Sequence, residues 1–72
     1  MSDDFITLLS NLGAIDLRRA VTIRYLKESF PNRTKELDSI IPRLKEAGYL
    51  VQIEDKIFLT QSGLLRAMTR FS

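Results

Sequence analysis

The chain lacks the side chains on which most protein catalysis depends. Its 72 residues include no cysteine and no histidine. There is therefore no thiolate to act as a nucleophile or zinc ligand, and the commonest general base is missing. Serine–histidine and cysteine–histidine catalytic arrangements are excluded within this chain. The sequence predicts no enzymatic activity and no cofactor.

Carboxylates are the remaining groups that could bind a metal ion. They occur as two adjacent pairs, Asp3-Asp4 and Glu54-Asp55. Adjacent carboxylates without converging partners are far more typical of helix caps and turns than of metal sites. We therefore predict no metal site.

Length and composition indicate one small folded domain over residues 1–72. Hydrophobic residues make up 44% of the chain and charged residues 28%, as in ordinary soluble domains. A core of this size is small, and sharing hydrophobic surface with a second copy is a common way to stabilise such a domain. No apolar run approaches the ~18–20 residues that span a bilayer. The acidic start is unlike a signal peptide, so a cytoplasmic protein without a membrane partner is expected.

The charge balance is compatible with a nucleic-acid partner and does not require one. Eleven basic residues stand against nine acidic ones. The formal net charge is +2 and the isoelectric point is about 9.3. A modest positive charge favours association with phosphates without specifying it.

Helical spacing predicts a first helix over residues 3–12. Ser2, Asp3 and Asp4 are residue types that stabilise a helix N-terminus, and Gly13 suits the left-handed position after the last turn. The apolar residues at helical spacing are Phe5, Leu8, Leu9 and Leu12.

A second helix is predicted after a short extended link at Ala14-Ile15, with Asp16 as its N-cap. Its inner face would comprise Leu17, Ala20 and Val21. The β-branched run 21–23 also fits a strand. The helix is preferred because Leu26 and Phe30 continue the apolar pattern and no hairpin turn lies nearby. Pro31 then ends this helix and starts a turn.

The third helix has the clearest periodicity in the chain. It is predicted to start near Thr34, with Asn32 as the rival cap, and to end at Gly48. The predicted core residues here are Leu37, Ile40, Ile41, Leu44, Tyr49 and Leu50. Pro42 lies inside this helix and is expected to bend or loosen it.

A hairpin and a last helix complete the predicted elements. Apolar residues alternate from Tyr49 to Ile53 and resume at residues 57–59, so the turn is expected at Glu54-Asp55 or Asp55-Lys56. Thr60 or Ser62 would cap the last helix. The apolar face of that helix would comprise Leu64, Leu65, Met68 and Phe71.

Two short motifs resemble winged helix-turn-helix domains of MarR-like and PadR-like transcriptional regulators. The first is LKEAGYLV, residues 44–51, at the end of the third helix, and the second is LTQSG, residues 59–63, after the hairpin. The resemblance covers roughly residues 14–66. It implies a mainly α fold with a small β-hairpin, that is, three helices, a two-stranded wing and a C-terminal helix.

The same resemblance implies a sequence-specific transcriptional regulator that binds double-stranded DNA and acts as a homodimer. The third helix would enter the major groove, with Arg43 suited to reading guanine and other residues contacting bases or phosphates. The DNA-binding residues expected are Arg18, Arg19, Arg33, Thr34, Lys35, Ser39, Arg43 and Lys56. The alternative is a winged-helix module that binds another protein, as an adaptor or complex subunit, without touching DNA.

A dimer surface is expected from the last helix together with parts of the first and second helices. The residues assigned to it are Phe5, Leu9, Leu64, Leu65, Met68 and Phe71. One side of the last helix would close the core, and the other side would meet a second copy. Such a dimer would supply the paired recognition helices that operator half-sites require.

Overall fold

A computed structural model describes residues 2–69 of the chain, with side chains from residue 4 onwards. The described residues are mainly helical. The four α-helices are α1 (Ser2–Asn11), α2 (Ile23–Ser29), α3 (Thr34–Glu46) and α4 (Gln61–Thr69). The three strands are β1 (Val21–Thr22), β2 (Leu50–Ile53) and β3 (Lys56–Leu59), and 3-10 turns occupy Leu17–Arg19 and Pro31–Arg33.

The strands form one antiparallel sheet in the order β1-β3-β2. β2 and β3 make the predicted hairpin, with Ile53 opposite Lys56 across the turn. The prediction of only two strands is wrong, because Val21 pairs with Ile57 on the free side of β3. This pairing joins segments that are distant in sequence, so no local turn marks it.

The second helix is shorter than predicted. Residues 17–19 form a 3-10 turn, which Asp16 caps by accepting a hydrogen bond from the Arg19 amide at 2.9 Å. α2 begins only at Ile23, where the Thr22 hydroxyl accepts from the Tyr25 amide at 2.9 Å. Leu17, predicted to face inward, is 50% exposed. The β-branched residues at 21–22 thus form a strand, as their intrinsic preference indicates.

The core forms where the four helices and the sheet meet. Its most completely buried large side chains are Phe5, Ile6, Leu9, Leu26, Ile57 and Leu59. The predicted stripe of α3 is confirmed, since Leu37, Ile40, Ile41 and Leu44 are all buried. Leu50 is buried as predicted, and Tyr49 is half-buried against the core.

The two sequence motifs meet at one junction between α3, the hairpin and α4. Gly48 has a φ of +82°, the left-handed conformation that reverses the chain after α3. The Thr60 hydroxyl donates to the Gly48 carbonyl at 2.6 Å and accepts from the Gly63 amide at 3.0 Å. The Thr60 amide donates to the Tyr49 carbonyl at 3.0 Å. Thr60, and not Ser62, therefore caps α4.

The tip of the hairpin is a two-residue turn at Glu54-Asp55. The Asp55 carbonyl accepts from the Ile23 amide at 2.7 Å, and its carboxylate accepts from the Arg24 amide at 3.4 Å. The tip is thus bound to the N-terminus of α2. Within the described residues, no helix is long and apolar enough to cross a membrane.

Gly63 tolerates no side chain at its position in α4. A Cβ there would overlap the carbonyl group of Tyr49 and approach Leu59 Cδ2 at 3.1 Å. We expect Gly63→Ala to lower the free energy of unfolding by about 2–3 kcal/mol, despite the better helix propensity of alanine. Urea denaturation measures this. The control Ser62→Ala, at an exposed neighbour in the same helix, should change stability by less than about 0.5 kcal/mol.

Glu54 occupies a backbone conformation that favours glycine. Its φ is +57°, in the left-handed region that costs L-residues roughly 1–2 kcal/mol. Glu54→Gly should stabilise the protein by about 0.5–1 kcal/mol after the extra chain entropy of glycine is subtracted. Asp55→Gly is the matched control and should destabilise, because it removes the carboxylate that binds the Arg24 amide. Equal shifts of the urea midpoint in both variants would contradict this account of the turn.

Candidate nucleic-acid interface

α3 presents a polar strip to solvent opposite its buried stripe. At about 100° per residue, the direction away from the core holds Lys35, Ser39, Pro42 and Glu46, with Arg43 beside them. All five are exposed. Pro42 lies within the helix, which runs from Thr34 to Glu46, and the expected bend there stays a prediction.

The charges of α3 divide into those that have partners within the chain and those that do not. Asp38 binds Lys27 of α2 at 2.8 Å, and Lys45 donates to the Gln52 amide oxygen of β2 at 3.0 Å. Lys35 and Arg43 have no ion pair or hydrogen-bonded side chain among the described residues. These two cations therefore remain available to an anionic partner.

Arg33 and Thr34, at the start of α3, are engaged within the chain. The Arg33 guanidinium donates two hydrogen bonds to the Glu36 carboxylate, at 2.7 and 3.1 Å. The Thr34 hydroxyl donates to the Pro31 carbonyl at 3.1 Å. A phosphate at either side chain would have to replace a bond that already exists.

The ion pair between Arg33 and Glu36 shifts the pKa of each side chain. The hydrogen bond from Arg33 lowers the pKa of Glu36 below its ordinary value, against a smaller opposing effect of burial. The hydrogen bond to Glu36 and its charge raise the pKa of Arg33. Both directions follow from a charged hydrogen-bonded pair.

Arg18 and Arg19 lie outside the α3 strip. They belong to the first 3-10 turn, which packs mainly against β3, whereas α3 packs mainly against β2 and the second 3-10 turn. Both are exposed. Arg19 lies 3.9 Å from Asp16, a long contact between exposed groups, and Arg18 has no ion pair within the described residues.

Lys56 is exposed at the base of the hairpin tip. Its neighbours in the turn are Glu54 and Asp55, so the tip as a whole carries more negative than positive charge. Asp55 also fixes the tip to α2. Sequence reasoning missed this attachment, although the β-branched pair at 21–22 was the signal that a strand lay beside the hairpin.

The residues predicted to form a dimer surface separate into two groups. Phe5 and Leu9 are 2% and 0% exposed. They belong to the core of the single chain and cannot meet a second copy while the chain is folded, so this part of the prediction is wrong. Leu64 is half-buried, Leu65 is 52% exposed and Met68 is 61% exposed. Phe71 lies outside the described residues.

Within the described residues, no three potential metal-ligating side chains converge and no pocket is present. Comparisons with protein-family models, curated proteins and solved structures give no match.

The Arg33–Glu36 pair predicts a specific pH dependence. A carboxyl group whose pKa is lower in the folded than in the unfolded chain stabilises the fold above its unfolded pKa. That contribution is lost as pH falls through the folded pKa. NMR titration should find the Glu36 pKa below its ordinary value, and Arg33→Gln should return it towards that value. Asp38→Asn, at an exposed acid of the same helix, should leave the Glu36 pKa where it is.

Proposed function

We propose that this chain is a winged helix-turn-helix domain that binds double-stranded DNA and regulates transcription, with α3 as its recognition helix. The element order supports the arrangement: helix, strand, helix, turn, helix and two-stranded hairpin, followed by a closing helix. The third strand, β1, pairs with the hairpin and so attaches it to the helical part.

The observation that carries the proposal is the pair of cations on the exposed face of α3, Lys35 and Arg43, which have no partner among the described residues. Lys35, Ser39 and Arg43 are spaced four residues apart and extend about 12 Å along the helix axis at 1.5 Å per residue. The major groove of B-DNA is about 12 Å wide, enough to admit an α-helix with its side chains. Arg43 has the geometry to bind guanine through two hydrogen bonds, while Lys35 and Ser39 suit phosphates or base edges.

The other basic residues have supporting roles in this proposal. Arg18 is exposed and has no ion pair among the described residues, so it suits a phosphate of the DNA backbone. The side chain of Arg19 makes a long contact with Asp16. Phosphate contacts raise affinity and salt dependence without reading sequence. Lys56 contributes less, because the carboxylates of Glu54 and Asp55 immediately precede it in the hairpin turn.

One observation favours a second function, the binding of another protein without DNA. The hairpin tip is acidic, only two residues long and bound to α2. A DNA-contacting wing would gain from a longer basic tip. In a protein-binding module, the strip of α3 with Pro42 and Glu46 would face a partner chain instead of a groove.

Substitutions on α3 test the DNA proposal. Lys35→Ala and Arg43→Ala should each weaken binding to cognate duplex DNA by about 1–3 kcal/mol, without unfolding the domain, because both side chains are exposed. Arg18→Ala should lower the slope of log affinity against log salt by about 0.9 for a lost phosphate contact. Fluorescence titration at two salt concentrations measures both effects.

Arg66→Gln, on α4, is the control for the loss of one positive charge outside the α3 strip. It should change the affinity for DNA only slightly. If Lys35→Ala and Arg43→Ala bind DNA as the parent does, α3 is not the recognition helix. If the parent shows no binding even at low salt, the DNA proposal is wrong and the protein-binding function is favoured instead.

A further inference from the structure

α3 contains, in its interior, the residue type that is least favourable there. Pro42 lies inside the helix, which continues for another turn to Glu46. Proline has no amide proton to donate to the carbonyl four residues before it, and its ring crowds that carbonyl. The stiffness of proline in the unfolded chain offsets only a minor part of this cost. The helix nevertheless continues past Pro42, since the Ala47 amide donates to the Arg43 carbonyl at 3.0 Å.

Packing in the core does not offset the cost of Pro42. The residue is exposed, and it lies on the side of α3 opposite the buried stripe that runs from Leu37 to Leu44. A ring that points away from the core gains little from burial. Alanine at the same position would keep the helix and restore its missing hydrogen bond. A use for the proline ring is therefore to be sought on the exposed side of α3.

The ring of Pro42 is an apolar group surrounded by polar ones. Lys35, Ser39 and Glu46 all lie within about 60° of Pro42 around the helix axis, and Arg43 is about 100° away. All five residues of this strip are exposed, and Pro42 is the only apolar one among them. Whatever binds the strip therefore meets an apolar spot beside charges and a hydroxyl.

We propose that Pro42 is a specificity-determining residue that contacts the C5-methyl group of a thymine in the major groove. This inference rests on the proposed DNA-binding function of α3. In the major groove the base edges present hydrogen-bond donors and acceptors and one kind of apolar substituent, the thymine methyl. A proline ring offers no hydrogen bond, so the methyl group is the base-edge group that complements it.

The same contact disfavours the other bases. Opposite the ring, an amino group of adenine or cytosine would lose water and gain no hydrogen bond in return. A longer polar side chain in place of Pro42 could rotate to satisfy such a group, whereas the rigid ring cannot. Pro42 therefore selects thymine by attraction to the methyl group and by exclusion of polar base edges.

Arg43 indicates where this thymine lies. Consecutive Cα atoms are about 3.8 Å apart, close to the spacing of about 3.4 Å between successive base pairs. Arg43 is the residue proposed to bind guanine. The thymine that Pro42 contacts should therefore lie within about two base pairs of the guanine that Arg43 reads. A sensitive thymine farther from that guanine would overturn the inference.

Removal of a single methyl group from the DNA tests the contact. Duplexes are first selected with the parent protein from a pool of random-sequence duplexes. Each thymine of a selected duplex is then replaced in turn by deoxyuridine, which lacks only the C5-methyl. The parent should lose about three- to fivefold in affinity at one thymine, the amount expected for one buried methyl group. Fluorescence titration measures this loss.

Two variants separate base reading from helix geometry. Pro42→Ala and Pro42→Ser both restore the backbone amide, so any effect of proline on the helix itself is removed in both. Both should raise the urea midpoint. Pro42→Ser should bind the thymine and uracil duplexes equally, while Pro42→Ala keeps an apolar methyl and should retain part of the preference. The matched control is Pro31→Ser, at an exposed proline outside α3, which should keep the full preference of the parent.

The outcomes distinguish this inference from the DNA-binding function. If the parent binds duplexes but tolerates uracil at every thymine, Pro42 reads no methyl group and DNA binding stands. A purely structural Pro42 would change the affinity for thymine and uracil duplexes by the same factor, so a preference retained in Pro42→Ser overturns the inference. Loss of the preference in Pro31→Ser overturns it as well. A parent that selects no duplex even at low salt overturns both proposals.

Discussion

The Thr60 hydroxyl links the segment that follows α3 to the first turn of α4. It donates to the Gly48 carbonyl and accepts from the Gly63 amide, while the Thr60 amide binds the Tyr49 carbonyl. These bonds connect the end of α3 to the start of α4 across the base of the hairpin. An isolated two-stranded hairpin is at best marginally stable in water. This one is held at its base by the junction, and the junction forms only because Gly48 is left-handed and Gly63 has no side chain.

Two parts of that junction were readable from sequence because they are local, although Thr60 and Ser62 both remained candidates for the cap. A glycine after a periodic helix predicts a left-handed end, and a threonine before an apolar run predicts a cap. The same reasoning failed at residues 17–22, where the structure has a 3-10 turn and a strand in place of a helix. Val21 pairs with Ile57, which lies much later in the sequence. A strand of two residues is too short to show an alternating pattern in the sequence. Its stability comes from pairing with a distant segment, which the local sequence does not reveal.

The candidate site shows the same limit of sequence reasoning. Helical spacing predicts which side chains are exposed, but it does not predict which partners they bind. Helical periodicity alone was enough to find that Lys35, Ser39 and Arg43 face solvent. It gave no indication that Arg33 is bound by Glu36, because the i,i+3 relation permits that contact without requiring it. The partners of Asp38 and Lys45 lie on other elements, which sequence spacing could not identify. Likewise, Phe5 and Leu9 are apolar in sequence whether they meet a core or a second copy, and only the packing of α1 assigns them to the core.

The hairpin tip helps to position α3 through its contacts with α2. α2 is held at its N-terminus by two separate segments, since the Thr22 hydroxyl caps it and Asp55 binds its first amides. Beyond α2 the chain has only a 3-10 turn before α3, and the Lys27–Asp38 ion pair bridges the two helices. A displacement of the tip would therefore shift α2, and through it α3. A longer and more basic tip would add a contact to DNA, but it would give up the attachment that orients α2. In the proposed complex, the hairpin thus acts on DNA through the position of α3.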